Sequence, residues 1–163
     1  MRESIRRLTA SDADQTRALG ARLADALTAA NVPGPLLIGL SGTLGAGKTT
    51  FVAGLLRRLG HEESVRSPTY TLVEPYRLAM RDIYHCDLYR LQHADELEDL
   101  GLPDLVAGRN WLLIEWPDRA GGRLGEFDLD LHLEYSGEGR ELAIAAGTSA
   151  GRSVLENLRL DPS

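Results

Sequence analysis

The stretch Gly42-Thr43-Leu44-Gly45-Ala46-Gly47-Lys48-Thr49 matches G-x-x-x-x-G-K-[ST] in full and constrains the fold more than any other part of the chain. Such a loop wraps backbone N–H groups around a phosphate chain and sends a lysine ammonium to the β and γ phosphates. It works only where a strand leads in and a helix leads out, and both flanks are present. Leu36-Leu37-Ile38-Gly39-Leu40 is a short continuous apolar run, as in a strand buried on both faces. Thr49 to Leu59 reads as a helix closed by Gly60. Lys48 is the only lysine of the chain, and the other seventeen basic residues are arginine. A forked, planar guanidinium does not replace a compact ammonium in so tight a cradle. Leu44, Gly45, Ala46, Gly47, Lys48, Thr49 and Thr50 are the candidate nucleotide-binding residues. Thr49 would set its hydroxyl on Mg2+ and Thr50 would add a phosphate contact.

The rest of the chain supplies elements to pack around this unit. Ser11-Asp12-Ala13-Asp14 reads as a capping box, and Leu19, Leu23 and Leu27 with Ala26 and Ala30 form the apolar stripe of the helix it opens. Tyr70 to Tyr76 and Asp82 to Tyr89 are extended stretches with a short connection, hence an antiparallel pair, with Pro75 placing the first at an edge. Asp95 to Leu100 reads as helical, and Trp111-Leu112-Leu113-Ile114 as a second buried strand ending on Glu115. Leu129, Leu131, Leu133 and Tyr135 alternate with Asp130, His132 and Glu134, the pattern of a half-buried strand. A turn at Gly137-Glu138-Gly139 leads into Glu141 to Ala146, and Ser149 to Leu160 closes the chain as a helix. These elements predict one α/β domain over residues 1–163, parallel around the loop and antiparallel toward the C-terminus.

Composition narrows the function. The chain has 163 residues and a net charge of −6, so it lacks the usual electrostatic footprint for binding nucleic acid unaided. A single cysteine, Cys86, excludes an intrachain disulfide and a cysteine-based zinc cluster. Met1 to Arg7 carries positive charge without an apolar segment behind it, unlike a secretory signal. No apolar run approaches the ~20 residues that cross a bilayer. The expectation is a soluble, cytoplasmic protein.

A loop of this kind needs an acid at a strand end to complete a magnesium shell. Glu115 and Asp87 both qualify, and the pattern alone does not rank them. Ser67-Pro68-Thr69 lies where some P-loop classes carry a threonine that closes over the γ-phosphate, although an ordinary capped turn has the same composition. His85 has no partner histidine at ligand spacing and reads as packed or hydrogen-bonded. Asp118-Arg119-Ala120-Gly121 fits the short D-x-x-G pattern, but the Asn-Lys-x-Asp guanine reader of GTPases requires a second lysine, which the chain lacks. Two other classes share the loop. A small-molecule kinase would need an acceptor pocket and an arginine-bearing lid, hinted at only by Arg119 and Arg123. A nucleotide-gated binding module would need neither.

Four stretches carry a resemblance. They are Leu44 to Phe51, Ser67 to Tyr76, His85-Cys86-Asp87-Leu88-Tyr89-Arg90-Leu91 and Glu115-Trp116-Pro117. In order and spacing they resemble the TsaE family, the bacterial P-loop ATPases of tRNA threonylcarbamoyladenosine biosynthesis, from about Ile38 to Glu141. The resemblance implies a P-loop NTPase-like three-layer α/β/α sandwich with a mixed sheet. It also implies a Mg2+-dependent ATPase that supports modification of adenosine 37 of tRNA without transferring the group itself. Its partners would be the threonylcarbamoyl-transferase subunit and that subunit's scaffolding paralogue, with tRNA reached through their complex. By the same resemblance Lys48 and Thr49 serve phosphate and magnesium, and Thr69 is a switch-like threonine. Asp87 becomes a catalytic or water-positioning acid, Glu115 a magnesium-shell ligand, and Arg140 a residue near the nucleotide. Thr43 departs from the family's usual acidic residue, and Cys86 from a usual aromatic.

Overall fold

The computed structural model describes residues 5–65, 68 and 72–158. In chain order its strands are β1 (Ile5–Ala10), β2 (Leu36–Ser41), β3 (Val73–Arg77), β4 (Asp82–Asp87), β5 (Trp111–Glu115), β6 (Leu129–Ser136) and β7 (Gly139–Ala146). Its helices are α1 (Ala13–Ala30), α2 (Lys48–Arg58), α3 (Glu96–Asp99), α4 (Leu102–Val106) and α5 (Ser149–Glu156), with a 3-10 turn at Pro117–Ala120. The strands form one sheet in the order β1-β7-β6-β2-β5-β4-β3.

β2 sits at the centre because every residue from Leu36 to Leu40 is buried, as both faces of an interior parallel strand require. It pairs in parallel with β5 and β6, and β4 extends the parallel set. The flanks are antiparallel: β6 with β7, β7 with β1, and β4 with β3. β3, with Pro75, lies at the edge, where a missing N–H costs no ladder bond.

The sheet separates two apolar layers. On one face Leu36, Ile38 and Leu40 of β2 pack with Leu19, Leu23 and Leu27 of α1, Phe51 and Leu55 of α2, and Val154 of α5. On the other, Leu37, Leu112 and Ile114 meet Leu97 of α3, Leu102 of α4 and Ala120 of the 3-10 turn. The result is the mixed, three-layer α/β/α architecture, with a second helical layer built from short pieces. α1 and α2 touch backbone to backbone. A Cβ on Gly20 would collide with the Phe51 carbonyl oxygen, and one on Gly54 with that of Arg17. No helix among the described residues is long and apolar enough to cross a membrane.

Several boundaries differ from the sequence expectation. The capping box of α1 is Asp12 with Gln15: Asp12 Oδ1 accepts from the Gln15 N–H at 2.8 Å, and Gln15 Oε1 from the Ser11 N–H at 2.7 Å. Tertiary pairing with β7 makes Ile5–Ala10 a strand, although only Leu8 and Ala10 are buried. Gly101, at φ 74°, separates α3 from an unforeseen α4 that opens with Leu102-Pro103. β7 begins at Gly139, and α5 ends at Glu156 with Asn157 as its cap instead of running on to Leu160.

Candidate functional site

The loop leaves β2 at the C-terminal edge of the parallel strands, where ligands bind in open α/β sheets. Gly42, Gly45 and Gly47 have φ of 138°, 83° and 103°, all in the region that favours glycine. Gly42 has no room for a side chain, because a Cβ would strike the Leu133 carbonyl oxygen of β6. Inside the loop the Ala46 N–H donates to the Thr43 carbonyl at 3.0 Å. α2 then starts at Lys48 with no side-chain cap and no acidic residue in its first turn. Its first amides and its dipole are thus available to an anion. Thr49 and Thr50 are half-buried in that turn.

Lys48 is only 5% exposed. Its ammonium folds back over its own loop, donating to the Gly42 carbonyl at 2.6 Å. It also lies 4.4 Å from the ring centre of Trp116, a cation–π contact. Trp116 is presented by a backbone turn at φ 57°, just past β5, and its N–H donates to the Leu40 carbonyl at 3.3 Å. Tyr89 leans on Trp116 with 5.0 Å between ring centres.

β2, β5 and β4 end side by side, and register aligns Leu40 with Glu115 and Glu115 with Asp87. The structure therefore gathers Lys48, Glu115 and Asp87 on one rim. Glu115 and His85 are buried, 3% and 0% exposed, and His85 Nε2 lies 2.7 Å from Glu115 Oε2. His85 is thus hydrogen-bonded, as its isolation in the sequence predicts. Among the described residues no three His, Cys, Asp or Glu side chains form a metal cluster. Asp87 is half-buried, and its Oδ1 accepts from the Tyr89 N–H at 3.0 Å. Cys86, between His85 and Asp87, is fully buried, and burial followed by the Asp87 charge pushes its thiol far up from the ordinary range. Thr69 lies outside the described residues, as do Ser67, Tyr70 and Thr71.

The hairpin β6–β7 brings to the loop residues of a strand whose sequence pattern says only that it is half-buried. Thr43 donates its hydroxyl to Glu134 Oε2 at 2.9 Å, so a carboxylate stands at the loop rim although position 43 is not acidic. That bond, more than any other influence, holds the Glu134 carboxyl below its usual range. The Tyr135 hydroxyl donates to the Gly45 carbonyl at 2.8 Å, and Arg140 Nε to the Ala46 carbonyl at 2.9 Å. Arg140, placed near the nucleotide by resemblance alone, also borders a cavity of about 180 Å³ with Asp12, Thr16, Gly47 and Thr50. The alternation Leu131-His132-Leu133-Glu134 marks which residues leave the core, but not what they meet on the other side.

The chain is similar to known proteins over nearly all of this framework. Residues 10–142 match the family model described as threonylcarbamoyl adenosine biosynthesis protein TsaE. A tRNA threonylcarbamoyladenosine biosynthesis protein TsaE from Haemophilus influenzae is 39% identical over 136 residues, 83% of this chain and 86% of that one. The protein of the same name from Bacillus subtilis is 37% identical over 127 residues, 77% and 78% of the two chains. The crystal structure of Bacillus subtilis YdiB superposes with a TM-score of 0.77 at 25% identity, covering 97% of this chain and 96% of that one. With its strand–loop–helix unit, its mixed sheet and matches of this extent, the chain belongs to the TsaE family.

Proposed function

We propose that the protein is a Mg2+-dependent ATP hydrolase that supports threonylcarbamoyladenosine formation at position 37 of tRNA. It acts with a threonylcarbamoyl-transferase subunit and that subunit's scaffolding paralogue, and does not transfer the group itself. The tRNA role rests on the family and on the names of its relatives. One observation carries the ATPase reading: the uncapped N-terminus of α2, with buried Lys48 beside it, opens on the rim that also holds Glu115 and Asp87.

The amides of the Gly45–Thr50 segment bind the phosphate chain, and the α2 dipole favours its charge. Lys48 exchanges the Gly42 carbonyl for phosphate oxygens and keeps its charge where negative charge develops. Thr49 and Glu115 supply a hydroxyl and a carboxylate oxygen, hard donors that suit Mg2+, and His85 keeps the Glu115 carboxylate turned in place. When bound, Mg2+ would neutralise charge on the β and γ oxygens. Asp87 orients the attacking water, and Thr69 senses the γ-phosphate. Arg140 is engaged with the Ala46 and Gly139 carbonyls, and in this reading a partner completes the charge pattern as an arginine finger does. A finger of this kind is worth about 10³–10⁵ in rate in related enzymes. Hydrolysis by the chain alone is therefore slow.

The test is phosphate release with and without the transferase pair, for the wild type and Lys48→Ala. Partner-stimulated release that disappears in Lys48→Ala is expected. Normal hydrolysis by that variant, together with no response to the partners, would sink the reading.

A further inference from the structure

The β6–β7 hairpin touches the end of β2 and the loop that follows it at four points. His132 Nδ1 is 2.9 Å from Ser41 Oγ at the end of β2. Glu134 accepts from Thr43, Tyr135 donates to the Gly45 carbonyl, and Arg140 donates to the Ala46 carbonyl. Tyr135 and Arg140 are direct cross-strand partners, with the guanidinium carbon 4.1 Å from the tyrosine ring centre. Each therefore holds the other's donor in line.

Tyr135 is 49% exposed and contributes little to the core, yet its hydroxyl is committed to a loop carbonyl. A loop that turns N–H groups inward on an anion turns carbonyls outward. Gly45 and Ala46 offer two such carbonyls in succession, and the hairpin takes both. A side chain at Gly45 would crowd the tyrosine, since a Cβ there would sit 2.8 Å from its hydroxyl. Three glycines make the free loop conformationally loose, and ordering it only on binding would weaken any ligand.

We propose that the β6–β7 hairpin holds the loop in its phosphate-binding shape before ligand arrives, with Tyr135 and Arg140 as positioning residues acting through the Gly45 and Ala46 carbonyls. The inference rests on the reading of the loop as a nucleotide-phosphate site. Because the hairpin works through the loop backbone, it strengthens binding of any polyphosphate alike, with or without a nucleoside.

Tyr135→Phe keeps the ring and its stacking on Arg140 and removes the hydroxyl. Arg140→Lys keeps the charge but cannot reproduce the paired Nε and Nη1 bonds. Dissociation constants for Mg2+-ATP and for Mg2+-tripolyphosphate are measured by calorimetry, with the melting temperature and amide exchange of residues 47–50. The expectation for Tyr135→Phe is an equal weakening toward both ligands, about 3- to 10-fold for one hydrogen bond. It comes with faster exchange in the loop and a melting temperature changed by no more than about 2 °C. Unchanged affinity for both ligands in both variants overturns the proposal. So does a loss confined to ATP, which would place these side chains on the nucleoside. A wild type that binds neither ligand refutes the nucleotide reading itself, and the positioning role falls with it.

Discussion

Removing either half of the His85–Glu115 pair should be costly, and the two losses should not add. The bond is 2.7 Å long between side chains 0% and 3% exposed, so solvent screens it little. His85 Nδ1 is buried without a partner among the described residues, which leaves Glu115 as the polar anchor of the ring. A hydrogen bond to a charged group is worth about 1.5–3 kcal/mol net. His85→Ala also strands a buried carboxylate and opens a cavity, which raises its cost to about 3–5 kcal/mol. For a domain of this size that lowers the melting temperature by roughly 6–20 °C. Once Glu115→Ala has removed the carboxylate, the same histidine change should cost less by the pairwise term. Urea denaturation of the wild type, the two single variants and the double variant gives that coupling. Nucleotide and Mg2+ are left out so that ligand linkage does not intrude. A coupling of about 1.5–3 kcal/mol is expected. A value under about 0.5 kcal/mol, the scatter of independent sites, would refute the claim that His85 holds Glu115.

Gly42→Ala should lower stability by at least about 1–3 kcal/mol, because both the positive φ and the Leu133 carbonyl oppose a Cβ. A wild-type urea midpoint would show that β6 yields there without cost. Cys86 should resist an aromatic disulfide reagent at pH 8 in the native protein and react once urea unfolds it, since burial both shields the thiol and raises its pKa. Prompt native labelling would mean that β4 opens at that point. Glu134 has a folded pKa below its unfolded value of about 4.3, so its contribution is present above that pH and is lost as pH falls from there through the folded value. Thr43→Val should reduce this acid loss slightly, read as melting temperature between about pH 5 and 3; superimposable curves would leave the Thr43–Glu134 bond without effect on stability.

The parts of the fold legible in the sequence are those whose cause is local. An unbroken apolar run marks β2 and β5, a period of two marks β6, and the G-x-x-x-x-G-K-T spacing marks the loop whose glycines take positive φ. β1 was not legible, because an exposed strand with two buried residues owes its existence to β7. The hairpin's contacts with the loop were hidden for a related reason. His132 and Glu134 read as the polar face of that strand and Tyr135 as the end of its apolar side, and nothing within the strand records that the loop from β2 lies against it. Arg140 is singled out by resemblance alone, and its partner Tyr135 only continues the apolar alternation of its strand.

Strand order carries the information that separates the two acids. Glu115 and Asp87 both end strands, and either could serve as long as the order of those strands is unknown. In the sheet β5 lies directly beside β2, and β4 lies beyond it. Strands are spaced about 4.8 Å apart, so the end of β4 is roughly 10 Å from the end of β2, twice the separation of β5. Glu115 is thus the inner acid, next to the strand that becomes the phosphate loop, and the turn after it places Trp116 against Lys48. Asp87 is the outer acid, half-buried, and tied to the backbone of its own turn. In the proposed site a cation close to the first turn of α2 would lie nearer the inner acid, and a water on the far side of the γ-phosphate nearer the outer one.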